Sequence, residues 1–218
     1  MNNFDYVIFD FDGTLVDTGE GILKSLQYAF AAFRDDVPTL DDLQVFIGPP
    51  LHYSFTKFFN VSEDEVDAYI TKYRERYSDI GLYECKLYDG MLDLLKKLKA
   101  NNIKVGVASS KPQIFIEKLL DHLDLIYYFD FLCGTTFDDC KHVGKKQLVE
   151  KAMRNLGATE NDKVIMIGDR YFDIDGGNDA GIYSCGIAHG YGDREEFQEH
   201  NADFIAMNIS DLDGILFS

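Results

Sequence analysis

Six short apolar runs, separated by longer amphipathic stretches, constrain this chain more than any other feature of it. They fall at 6–9, 104–108, 129–133, 163–167, 183–187 and 203–206. They show little polar–apolar alternation, the pattern of strands covered on both faces. The stretches between them carry apolar residues at helical spacing: Met91, Leu94, Leu95 and Leu98; Ile114, Leu119 and Leu120, with Pro112 suited to a first turn; and Leu148, Val149, Ala152 and Leu156. Strands alternating with helices in this way predict an α/β fold, a doubly wound parallel sheet with helices on both faces.

One stretch breaks the alternation. Residues 19–83 contain no strand candidate, and helices are predicted over 21–34, 40–47 and 51–59, with Gly48-Pro49-Pro50 ending the second. A last helix is announced by Ser62 with Glu65 three residues on, a capping box, and its apolar face reads Val66, Ile70, Tyr73, Tyr77 and Ile80. The chain therefore divides into an α/β core, 1–17 and 84–218, and an all-helical insert, 18–83, with hinges at 17–19 and 83–85. Phe30, Phe33, Phe46, Phe55, Phe58 and Phe59 are expected to form the insert's own core and its contact with the sheet domain.

Charge and composition exclude several classes of partner. With 21 Lys+Arg against 38 Asp+Glu, the net charge of −17 repels nucleic-acid backbones and anionic headgroups. No apolar run approaches the roughly 18 residues of a membrane span, and the first residues carry neither a basic nor a long apolar segment, so a cytoplasmic protein is expected. Cys85, Cys133, Cys140 and Cys185 lack zinc-ligand or CxxC spacing and read as reduced thiols. His52, His122, His142, His189 and His200 are dispersed and are expected at the surface.

In open α/β sheets ligands sit beyond the carboxyl ends of the strands, so the residues that follow each strand matter most. Asp10 and Asp12 follow the first, Ser109 and Ser110 the second, and Asp169 and Asp173 the fourth, while Lys145 and Lys146 open the helix before that strand. Carboxylates gathered at one rim cannot all stay ionised without a counter-ion, and oxygen ligands suit a hard cation such as Mg²⁺. Hydroxyls, free N–H groups and a lysine beside it supply what a phosphoryl group needs. The pattern predicts metal-assisted phosphoryl transfer. Ser109 can also cap the helix near Pro112, Lys111 is expected to be solvated or ion-paired, and the glycines of 175–181 are expected to serve close packing and a helix end.

The segment Asp10-Phe11-Asp12-Gly13-Thr14-Leu15-Val16-Asp17-Thr18 resembles the opening motif of the haloacid dehalogenase-like hydrolases. Val107-Ala108-Ser109-Ser110-Lys111-Pro112 is similar to their second motif, and Gly168-Asp169-Arg170-Tyr171-Phe172-Asp173 to their GDxxxD motif. The insert falls where the subfamily with an α-helical cap carries it, and 47–51 resembles the phosphoglycolate phosphatase-like branch. The resemblance implies a Rossmann-like core with an all-helical cap after the first strand. It also implies a role for each residue: Asp10 as nucleophile; Asp12 as general acid and base, and as a metal ligand through its backbone carbonyl; Asp10, Asp169 and Asp173 as the carboxylates at Mg²⁺; and Ser109, Ser110 and Lys145 around the phosphate, with Lys145 favoured over Lys146. The implied substrate is a small phosphorylated metabolite, such as phosphoglycolate or a nucleoside 5′-monophosphate. Two other readings stand beside it: a phosphomutase of the β-phosphoglucomutase type, disfavoured because Ile22 occupies the position of that group's His, and a non-catalytic phosphate-binding module.

Overall fold

Strand β1 (Tyr6–Phe9) lies inside a six-stranded sheet, flanked on both sides by strands that come much later in the chain. The computed structural model describes residues 3–137 and 143–217, so Cys140 and His142 lie outside the described residues. The other strands of this sheet are β4 (Lys104–Pro112), β5 (Phe131–Thr135), β6 (Val164–Gly168), β7 (Tyr183–Ile187) and β8 (Phe204–Ala206). Their order is β5-β4-β1-β6-β7-β8, and every pairing is parallel. The chain order reverses at β1, which creates the crevice where such sheets bind ligands.

Burial on both faces explains the unbroken apolar runs. Ile8, Ala108 and Met166 pack under α6 (Lys145–Leu156), with α7 (Tyr171–Asp179) beside it. Val7, Phe9, Val107 and Ile167 face the other layer, built from α4 (Met91–Ala100), α5 (Gln113–His122) and α9 (Ile209–Phe217). A short helix, α8 (Arg194–Glu199), seats the fully buried Phe197 over Gly186. Pro112 ends β4 rather than opening the first helical turn, so α5 starts one residue later than the proline suggested.

The insert contains α1 (Gly19–Ala31), α2 (Leu51–Phe59) and α3 (Val66–Tyr77) and, as expected, no strand. Two expectations need correction. The segment 40–47 forms only a 3₁₀ turn at Asp42–Phe46, which ends where Ile47 turns extended ahead of Gly48-Pro49-Pro50. Ser62 does not cap α3: its hydroxyl donates to the Glu65 carboxylate at 2.7 Å, closing a turn ahead of the helix. Ile80 lies past the end of α3 and is exposed. Phe30, Phe46 and Phe55 are fully buried and mutually in contact, whereas Phe33 and Phe58 face solvent.

A two-stranded antiparallel ribbon was not foreseen. β2 (Val16–Asp17) and β3 (Lys86–Leu87) pair with each other at the entry to and exit from the insert. Two residues per strand is too short to leave a periodic signal in the sequence. No helix among the described residues is long and apolar enough to cross a membrane.

Candidate active site

Asp10 is the first residue beyond β1, still tied to the sheet by its N–H, which donates to the Ile167 carbonyl at 2.8 Å. The chain then turns sharply, with the Leu15 and Val16 N–H groups both donating to the Phe11 carbonyl at 3.0 and 3.2 Å. Gly13 makes the turn possible at φ +79°, and a Cβ there would lie 2.2 Å from Asp169 Oδ2. The glycine therefore leaves open the space in which the Asp169 carboxylate sits.

Asp10, Asp169 and Asp173 converge. One carboxylate oxygen of each lies within 4.8 Å of the other two, and all three residues are buried. Asp169 accepts from Thr14 Oγ1 at 3.1 Å and from the Tyr191 N–H at 2.9 Å. Burial, reinforced by Asp173 and Asp10, pushes the Asp169 carboxyl well above the usual carboxylate range. Burial also lifts Asp173 to about 7, with Asp10 adding to the rise and Lys145 opposing it.

Among the described residues, one ammonium stands between these acids. Lys145 Nζ lies 3.1 Å from Asp10 Oδ1 and 2.6 Å from Asp173 Oδ1, and donates to the Ala108 carbonyl at 3.2 Å. Burial alone would lower the Lys145 pKa, but Asp10 and Asp173 together hold it above its ordinary value. Among the described residues, neither Asp10 Oδ1 nor Asp173 Oδ1 has an aligned hydrogen bond, and both oxygens face the Lys145 charge. Three buried carboxylates, two of them with an orphaned oxygen, offer an all-oxygen donor set that fits a hard divalent ion. Lys146 is half exposed, with Glu150 at 4.0 Å, and takes no part.

Lys145 reaches the cluster because Gly176 of α7 leaves room: a Cβ there would stand 2.4 Å from Lys145 Cγ. Gly176→Ala would gain about 1 kcal/mol of helix propensity. It would lose about 1–3 kcal/mol by overpacking against a side chain locked at its tip. A net loss of up to about 2 kcal/mol in denaturant unfolding is the expected outcome, and a variant more stable than the parent would show that the lysine moves freely.

The carboxylate of Asp12 stands apart from this cluster. Its Oδ1 accepts from Thr18 Oγ1 at 2.6 Å, and Lys111 Nζ donates to Oδ1 and Oδ2 at 2.8 and 3.1 Å. Lys111 is thus ion-paired and only 7% exposed; the solvated alternative is wrong. Ser109 and Lys111 fall where the β4–β5 register shifts, between Ala108 and Pro112, which turns the chain across the rim. Ser109 Oγ accepts from the Lys111 N–H at 3.3 Å, and α5 carries no side-chain cap, so the capping alternative for Ser109 does not hold. The Ser110 carbonyl accepts from Thr135 Oγ1 at 2.9 Å.

A cavity opens over these groups between rim and insert. Asp10, Asp12, Ser109, Ser110 and Lys111 line its floor, and Phe46, Tyr73, Arg74 and Tyr77 are among the residues of its roof. Arg170 makes a second tie to the insert, donating from Nη1 to the Ile47 carbonyl and from Nε to Glu196, each at 3.1 Å. Thr14 and Arg170 stand in the motifs read from the sequence but were given no role there, and Tyr191 and Arg74 were not singled out. Tyr191 was findable, since it follows β7 on the same rim; Arg74 was not, because nothing in a helix repeat marks which exposed-looking residue faces a cavity. His189 also departs from expectation: it is half-buried, stacked on Tyr88 at 3.9 Å, with Nε2 2.9 Å from the Thr14 carbonyl, and burial lowers its pKa.

Comparison with known proteins agrees with this geometry. The family model described as haloacid dehalogenase-like hydrolase matches residues 7–187. A 5′-nucleotidase of Pseudomonas aeruginosa is 32% identical over 212 residues, covering 97% of this chain and 95% of its own length. The pyrophosphatase PpaX of Bacillus cereus is 31% identical over 211 residues, covering 96% and 95%. Among solved structures, one described as a predicted phosphatase from Clostridium acetobutylicum superposes with a TM-score of 0.92 at 37% identity, over 97% of both chains. With the three motifs on one rim of a doubly wound sheet and a helical insert after the first strand, the chain belongs to the haloacid dehalogenase-like hydrolases.

Proposed function

We propose that this chain is a Mg²⁺-dependent phosphatase that hydrolyses a small phosphate monoester through an aspartyl-phosphate. The observation that carries the reading is the buried cluster of Asp10, Asp169 and Asp173 around one lysine, open to a cavity beside Ser109. Asp10, Asp169 and Asp173, with the Asp12 carbonyl, would hold Mg²⁺, which neutralises phosphate charge when bound. An Asp10 oxygen attacks phosphorus, and the ester P–O bond breaks as Asp12 hands its proton to the leaving oxygen. Asp12 then takes a proton from water, whose oxygen displaces Asp10 and releases inorganic phosphate. Lys145, Ser109 and the Ser110 N–H hold the phosphate oxygens.

The substrate class follows from the cavity and from the relatives. Tyr73, Tyr77 and Phe46 offer aromatic walls, and relatives are named for nucleotide and pyrophosphate hydrolysis, so a nucleoside 5′-monophosphate or a small phosphoglycolate-like ester is proposed. Ile22 lines the same cavity and has no titratable group, which favours hydrolysis over the mutase chemistry that a His there would serve. Residues 18–83 are proposed to act as a cap that closes over the rim and sheds water. The free thiols Cys85, Cys133 and Cys185 fit a reducing cytoplasm. Phosphate release from a panel of small monoesters should require added Mg²⁺ and fall to background with a chelator. Full turnover in chelator would refute the metal assignment.

A further inference from the structure

Asp12 is held from two directions, and one of them passes through the insert. Thr18, between β2 and α1, donates to one of its oxygens, and Lys111 donates to both. The same ammonium donates to Tyr77 Oη of α3 at 2.5 Å. Tyr77 is 1% exposed, stacked on Tyr73 at 5.0 Å and edge-on to Phe115 at 5.3 Å, so its hydroxyl is fixed by packing on both the insert and the core. A lysine ammonium has three N–H donors. Asp12 uses two and Tyr77 the third, which leaves none for a bound substrate although Lys111 lines the cavity.

We propose that Lys111 is a positioning residue: it holds the Asp12 carboxylate in its working direction while Tyr77 is seated, so that the acid/base is set only with the insert closed. This rests on the reading of Asp12 as general acid and base. Lifting α3 removes the third partner of Lys111. The ammonium is then free to swing, and the two oxygens it aligns lose their common anchor. Proton delivery to the leaving oxygen depends on that alignment, whereas substrate binding does not.

The test compares two esters under single-turnover conditions, where only cleavage of the ester bond is seen. p-Nitrophenyl phosphate has a leaving group that departs without protonation; glycerol 2-phosphate does not. Lys111→Met should slow cleavage of the alkyl ester about 100-fold or more. The aryl ester should lose at least about tenfold less, with KM for both within about threefold of the parent. Tyr77→Phe, which keeps the ring and removes only the hydroxyl, should slow the alkyl ester about tenfold with KM unmoved, and Lys111→Arg should recover part of the loss. A raised KM with the rate preserved would mean that Lys111 touches substrate. Equal losses on both esters would mean a merely structural role, and an unaffected Tyr77→Phe would break the link to the insert. Any of these overturns the inference. Asp10→Asn run alongside separates the two layers: an inactive parent, or an active Asp10→Asn, overturns the phosphatase reading and this inference with it. An active parent with a dead Asp10→Asn sustains that reading whatever Lys111 does.

Discussion

Asp10→Asn should lower kcat by about 10⁴-fold or more, since loss of a covalent nucleophile leaves only binding and charge stabilisation. The substitution is isosteric, and the group that ties residue 10 to the sheet is its backbone N–H on Ile167, which the change does not touch. Lys145 retains Asp173 as a partner at 2.6 Å, so no buried ammonium is stranded. Circular dichroism and the unfolding midpoint should therefore stay close to those of the parent while phosphate release disappears. A variant with undiminished turnover would remove Asp10 from the chemistry.

Metal-free protein should lose stability as pH rises from about 4 to 7, the interval between the ordinary and folded-state Asp173 pKa values. The sign follows from proton counts. Asp173 has an ordinary carboxyl value of 3.8 when unfolded and about 7 in the fold, so across this window the native state keeps a proton that the unfolded chain has released. Stability is greatest below the window and falls through it, by an amount on the order of 4 kcal/mol if Asp173 acts alone. Asp169, raised for the same reason, acts in the same direction. Asp173→Asn removes this slope, and the difference between parent and variant cancels every other titrating group. The midpoint gap should change by roughly 10 °C across the window for a chain of this size. Mg²⁺ at pH 7.5 should return stability to the parent, about 2.7 kcal/mol at a hundredfold excess over Kd, and a chelator should abolish the gain. A parent-minus-variant gap that is flat across the window would show that the carboxylates do not strain the metal-free fold.

The two expectations share a physical root that was partly visible in the sequence. Strands that stay apolar on both faces can only be buried strands, so β1, β6 and β7 could be placed to within a residue or two. Topology then carried Asp10, Ser109 and Asp169 to one rim, because in a parallel sheet every strand ends on the same side. The choice of Lys145 rested on likeness to other proteins, since periodicity cannot tell which of two adjacent lysines points inward; Gly176 and the ion pairs decide it in three dimensions. Lys111 was expected to be ion-paired or solvated, but its partner Asp12, like the partners of Arg170 and Tyr191, escaped because the contacts span 99, 123 and 22 residues. The exposed Phe33 and Phe58 escaped for a different reason. Composition marks a ring as apolar, but a surface helix in a small insert has too little interior to hide all six.

The pairing of Val16 with Leu87 and of Asp17 with Lys86 sets the two threads that join insert and sheet side by side and antiparallel, the arrangement that a tight hairpin closes. Everything between them enters and leaves through one narrow gate. Beyond that gate the insert meets the rim again where Lys111 bonds Tyr77 and Arg170 bonds Ile47, so any tilt about the ribbon has to be taken up at those two bonds.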